Sequence, residues 1–199
     1  MPTPTYRNHM SIKQGGKGVP YGGSGVLRED GEANYGFRNL KTNPGDLDSV
    51  PELVRDPALR ALVVNLNRRN SGFFTVGCMS FDVAEQSGHR RSGYVEFAAN
   101  SQRLVADASN YFPLFFHFDS FISKAQRRYE VAIDWELMGA AFIDDVRCDG
   151  FTCSVFINTF HVASPEEAVK AWDEALGLLV SYFDTWGHAE QDIIYKAPT

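Results

Sequence analysis

The chain has 199 residues, 44% of them hydrophobic and 13% aromatic, and a formal net charge of −6. That apolar content suffices for one large core, so the composition gives no ground for reading the whole chain as disordered. The acidic balance, with a pI near 5.3, argues against nucleic-acid backbone and anionic membrane surfaces as partners, since both select for Lys and Arg.

Residues 1–10 contain no apolar signal core, and no apolar run approaches the roughly 20 residues that span a bilayer. Cys78, Cys148 and Cys153, an odd and small number, fit a reducing cytoplasm. The pairs Arg68-Arg69, Arg90-Arg91 and Arg127-Arg128 each fall at the edge of a predicted element and read as solvated ends rather than one basic patch.

Residues 1–48 read as a glycine-rich flexible arm or loop, with residues 49–199 as a single domain. Gly15, Gly16, Gly18, Gly22, Gly23 and Gly25 cluster there, followed by Asp30-Gly31 and Asn43-Pro44-Gly45, and apolar residues occur singly. Tyr6, Tyr21, Tyr35 and Phe37 are positioned to anchor such an arm. The glycines match no phosphate-binding fingerprint: Gly16-Lys17 has Ser11 where a Walker loop needs glycine, and Gly16-Lys17-Gly18 is followed by Tyr21 where a dinucleotide loop needs glycine.

Asp56-Pro57 is a helix start, with Leu59, Leu62, Val63 and Leu66 at helical spacing and Asn70-Ser71-Gly72 as the stop. Residues 73–83 and 94–98 read as a hairpin with Ser87-Gly88 in its loop. Residues 101–126 read as one helix kinked at Pro113, or two meeting there. The run Tyr111-Phe112-Pro113-Leu114-Phe115-Phe116-His117-Phe118 is apolar nearly all round, which predicts a central helix.

Residues 129–137 alternate Tyr129, Val131, Ile133, Trp135 and Leu137 with Glu130, Ala132, Asp134 and Glu136. This period of two predicts a strand with one buried face and one wet, acidic face. Asp149-Gly150 predicts a two-residue turn, which would pair Cys148 with Phe151 and Cys153 with Val146. Ser164-Pro165-Glu166-Glu167 is a capping box. It opens a helix whose face carries Ala168, Trp172, Ala175, Leu176, Leu179, Phe183 and Trp186, closed by Gly187.

The fold class that results is α+β: an antiparallel sheet of four or five strands on three helices near 57–69, 101–126 and 165–186. The two hairpin–helix halves suggest a duplication, without a residue-level repeat to support it.

Five chemical candidates follow. Asp134 and Glu136, roughly 6 to 7 Å apart on one strand face, with Glu130 further along, read as a solvated face or as a binding face for a basic protein. His117 and Asp119 fall nearly opposite each other on a helix, and Asp119 lies inside the apolar arc, where it needs a hydrogen-bonding partner. Cys78 is a small buried hydrophobe unless His161 or His89 activates it. Cys148 and Cys153 supply too few ligands for structural zinc. His9, His89 and His188 carry no spacing signal.

No cofactor or metal is expected. The reading is a non-catalytic cytoplasmic domain that binds another protein, as an inhibitor, immunity-type or regulatory partner. Enzymatic activity stays open, the alternative being an enzyme or small-ligand protein with a pocket between the aromatic helix and the sheet, using Cys78, His117, Asp119 and His161. Homo-oligomerisation through the aromatic surplus is a third option.

Overall fold

A computed structural model describes residues 4–23, 35–144, 147–186 and 192–198. Its centre is one five-stranded sheet, β1 Tyr6–Val19, β2 Phe73–Glu85, β3 Gly88–Ala99, β4 Val131–Ile143 and β5 Arg147–Thr159, in the spatial order β1-β4-β5-β3-β2. The class is α+β, but the sheet is mixed rather than antiparallel, because β1 runs parallel to β4.

Tyr6–Val19, within the segment read as an arm, is therefore an edge strand. Its even positions Tyr6, Asn8, Met10 and Ile12 face one side of the sheet and its odd positions Arg7, His9, Ser11 and Lys13 face the other. The register is unbroken from Tyr6 to Lys13 and shifts between Lys13 and Gly16, where Gly15 adopts φ 109°.

The helices are α1 Pro51–Arg55, α2 Pro57–Asn67, α3 Gln102–Val105, α4 Phe112–Lys124 and α5 Pro165–Phe183, with 3-10 turns at Pro44–Ser49 and Ala108–Tyr111. Five α-helices among the described residues replace the expected three. The predicted 101–126 helix divides because Asp107 caps the 3-10 turn by accepting from Ser109 N, and Pro113 sits in the first turn of α4.

The two hairpins adjoin through their second strands, β3 against β5, with β2 and β4 outside them. The turn of the second hairpin is not at Asp149-Gly150. Cys148 pairs with Phe142 and Cys153 with Leu137, so both residues of the Asp-Gly pair lie inside β5. Val146, the expected partner of Cys153, lies outside the described residues, as do Gly187, His188, Gly25, Asp30 and Gly31. Gly150 is needed for another reason: a Cβ there would stand 2.5 Å from the Val105 carbonyl oxygen.

The core lies between the sheet and α2, α4 and α5. Val131, Ile133, Trp135 and Leu137 of β4 are all buried, as the alternation predicts. Phe97 sits amid Phe73, Trp135 and Phe183 with ring centroids 5.2, 6.4 and 5.3 Å away, all edge-on. Such pairs add about 0.5–1.5 kcal/mol each beyond their burial.

The opposite face carries a second, smaller cluster, Phe74 against Phe142 and Tyr195, with Phe37 stacked on Tyr195. Lys41 ties this covering segment to the end of α2, its Nζ donating to the Arg68 and Ser71 carbonyls at 2.7 Å each. Burial, with a smaller contribution from Arg68, lowers the Lys41 pKa to about 8.

At the start of α5, Ser164 Oγ accepts from Glu167 N at 3.2 Å, while the Glu167 carboxylate accepts from Ala163 N. No helix among the described residues is long and apolar enough to cross a membrane.

Candidate functional site

The most open feature of the fold is the outer side of β1. The strand order leaves it as an edge with no neighbour among the described residues. Beside it runs α4, which is not the central helix its sequence predicts. Leu114, Phe118 and Ile122 turn inward, but Phe116 is 63% exposed. Phe112 and Phe115 are half-buried.

Between α4 and β1 lies a groove of about 440 Å³, lined by the consecutive β1 residues 8–12 and by Phe112, Phe115 and Phe116 of α4. Ile12 is 57% exposed. A long strand edge flanked by large exposed apolar side chains is costly in an isolated protein, since it invites association.

What fixes β1 against α4 is a polar chain that starts at a candidate carboxylate. Asp119 Oδ1 accepts from Tyr6 Oη and Asn8 Nδ2, both at 3.3 Å, and Asn8 Oδ1 accepts from Trp135 Nε1 at 3.0 Å. The partner that Asp119 requires is therefore β1 itself. Arg127 stacks on the Tyr6 ring, 4.8 Å from its centroid, and donates to the Pro4 carbonyl at 2.9 Å. His117, across the helix, faces Trp186 at 5.5 Å.

The acidic face of β4 lies under the other side of β1. Arg7 donates to Asp134 at 3.0 Å and Lys13 to Glu136 at 3.5 Å. His9 Nδ1 stands 3.9 Å from Asp134. Glu130, just before β4, accepts from Thr5 Oγ1 at 2.5 Å. Asp134 and Glu136 thus face cations of β1, while Glu130 stays exposed beside the Thr5 hydroxyl. Such half-exposed pairs each contribute about 1 kcal/mol or less.

The remaining candidates do not converge. Cys78 stands opposite Val95 on β3, whereas His161 contacts Glu85 at 3.4 Å near the tip of the same hairpin. His89 exchanges backbone hydrogen bonds with Val162. Burial, reinforced by the charges of Glu52 and Asp56, pushes the Cys78 thiol up to about 12. Burial also raises Cys148, with help from Asp149, and raises Cys153. All three cysteines are free. The five steps from Cys148 to Cys153 put them about 16 Å apart along one strand, beyond disulfide reach.

Native protein at pH 7.5 is accordingly expected to alkylate at half-buried Cys148 first. Cys78 should react at least about a hundredfold more slowly than free cysteine, because its thiolate is nearly absent. Mass-spectrometric time courses with iodoacetamide check this; fast labelling of Cys78 would restore it as a nucleophile.

Further pockets lie among the described residues, two of them beside the sheet. Near Cys78, one of mixed lining has Tyr21, Tyr94, Arg38 and Glu52 beside Leu40 and Val76. Behind it the buried Glu96 carboxylate meets Lys17 Nζ at 2.5 Å, with Lys17 also 5.2 Å from the Tyr21 ring centroid. The second pocket, about 270 Å³, lies between the start of α4 and the sheet and is lined by Phe73, Leu104, Tyr111, Leu114 and Trp186, with Asn110 among its few polar groups. No group of three or more His, Cys, Asp and Glu side chains arranged to hold a metal occurs among the described residues.

No protein-family model, curated protein or solved structure matches the chain. Function must be argued from the geometry.

Proposed function

We propose that this chain is a non-catalytic protein-binding domain that engages its partner along the outer edge of β1 and the groove beside it. The observation that carries the reading is the unneighboured edge of β1 set against exposed Ile12 and Phe116. An added strand would satisfy the outward main-chain groups of β1, while the groove would take alternate side chains, which is the physics of β-augmentation. Free thiols at Cys78, Cys148 and Cys153 support a reducing, cytoplasmic setting. A basic partner seated on Glu130, Asp134 and Glu136 would instead have to displace Thr5, Arg7 and Lys13 from them.

The test is affinity capture from lysate of the source organism with wild type, an Ile12→Asp/Phe116→Ser double variant, and Glu136→Gln. The partner should bind wild type and Glu136→Gln alike. The double variant should lose about thirtyfold or more in affinity, as for a central apolar contact. Retention by the double variant overturns the reading, and selective loss in Glu136→Gln moves the site to the acidic face.

A second reading, a small-ligand protein or enzyme, is favoured by the apolar cavity between the start of α4 and the sheet. Trp186 forms one wall of it and is half-buried, whereas Trp135 and Trp172 are wholly buried. A ligand there would therefore be seen as a change in Trp186 fluorescence.

A further inference from the structure

We infer that the occupant of the β1 edge is an extended acidic segment whose side chains alternate between carboxylates and apolar groups. This rests on the proposed binding at β1 and deepens it. A strand laid beside β1 presents successive side chains to opposite faces, so its two sets meet two different surfaces.

On the helix side the surface is the groove of Met10, Ile12, Phe112 and Phe116, which takes apolar groups. On the open side the nearest residues are Arg7, His9, Ser11 and Lys13, with no acid of β1 among them. Arg7 and Lys13 are bound to Asp134 and Glu136 but keep 65% and 57% of their side-chain surface. Each retains donors for a second carboxylate, since guanidinium carries five N–H groups and ammonium three. Directly opposed unlike charges stabilise strand pairs and like charges oppose them. The useful length is set by the unbroken register Tyr6–Lys13, beyond which the strand bends. Those eight positions span about 26 Å of extended chain.

The same row of cations argues against a second copy of this chain. In an antiparallel two-fold pairing centred on Met10, Arg7 of one copy faces Lys13 of the other. Edge cations commonly discourage promiscuous pairing. Beside exposed Ile12 and Phe116 they act as a filter: Arg7 and Lys13, though paired with Asp134 and Glu136, keep exposed donors that a carboxylate-bearing strand can use and a lysine-bearing one cannot.

The experiment uses the full chain and fluorescein-labelled octapeptides: one alternating glutamate and valine, one alternating lysine and valine, one alternating serine and valine, and a block-sequence glutamate/valine control. Anisotropy titrations at low and high salt give affinity, and amide hydrogen exchange gives location. The expected result is binding of the alternating acidic peptide only, weakened by salt, with added protection of amides in Tyr6–Lys13. An Arg7→Gln/Lys13→Gln variant, changed only at exposed side chains, should bind it about fivefold or more weakly.

Equal protection of β1 by the lysine or serine peptide would overturn the acidic inference and leave the edge reading standing. Absence of β1 protection with every peptide, together with a cellular partner's footprint elsewhere, would overturn the edge reading itself. A solution dimer with these amides already protected would overturn both.

Discussion

Replacing Asp56 with alanine is expected to destabilise the fold by about 4 kcal/mol. Asp56 is 1% exposed and joins three parts of the molecule. Its Oδ1 accepts from Leu59 N at 2.9 Å, capping α2, and its Oδ2 accepts from the buried Trp172 Nε1 at 2.8 Å. Arg91, only 15% exposed, stands 3.6 Å from the same Oδ2 and 5.9 Å from the Trp172 ring centroid.

Alanine removes a cap worth about 1 kcal/mol and orphans a buried indole N–H at about 1–3 kcal/mol. It also strips Arg91 of its buried partner, a change that by itself costs about 3–5 kcal/mol when complete. These losses share one carboxylate and do not add in full. Arg91 also keeps Asp82 at 3.3 Å, which softens the third. Asp56→Asn keeps the shape and one acceptor, so it should cost roughly half as much. Urea denaturation of the three proteins decides it; a loss below about 1 kcal/mol for alanine would show that the cluster is not structural cement.

The elements legible from sequence are those whose local chemistry and tertiary role agree. Asp56-Pro57 and Ser164-Pro165 mark helix starts that the structure keeps, because their side chains cap the N–H groups next to them. The alternation in β4 was legible because one face is buried from Val131 to Leu137. β1 was missed although Tyr6, Asn8, Met10 and Ile12 alternate with Arg7, His9, Ser11 and Lys13. The glycines from Gly15 onward gave the whole segment the look of a loop, and a parallel partner 125 residues away, Tyr6 against Val131, leaves no local trace.

Asp149-Gly150 misled for a related reason. Glycine serves tight turns and close approaches alike, and here it makes room for the Val105 carbonyl.

The candidate site was legible only in pieces. That Asp119 needed a partner followed from its place in an apolar arc, but the partners Tyr6 and Asn8 come from a strand not recognised as one. The all-round apolarity of α4 was read as centrality. It instead reflects a helix with one face in the core and Phe116 on the surface, and sequence alone gives both the same pattern. The cations over Asp134 and Glu136 reach them across the β1–β4 register, which converts an acidic face into a mixed one.

Gly93→Ala is expected to cost more than about 3 kcal/mol and to leave little native protein. A Cβ at this position would overlap the Met79 carbonyl oxygen of the paired strand and lie 2.8 Å from Cη2 of Trp172 and 2.9 Å from Ser80 Cα. Two of these three neighbours are backbone of β2, and the third is a fully buried ring held by Asp56. None can swing aside as a flexible side-chain end would. The methyl group must therefore spread β2 from β3 or lift α5 off the sheet, and either disturbs the packing around Val95 and Phe97.

Gly177 provides the contrast on the helix that carries Trp172, since a Cβ there meets nothing within 4 Å. Gly177→Ala should raise stability by about 0.5–1 kcal/mol through helix propensity alone. Thermal melts of the two variants measure opposite signs for the same chemical change. A mild effect at Gly93 would mean that β3 and α5 are less closely packed than these distances require.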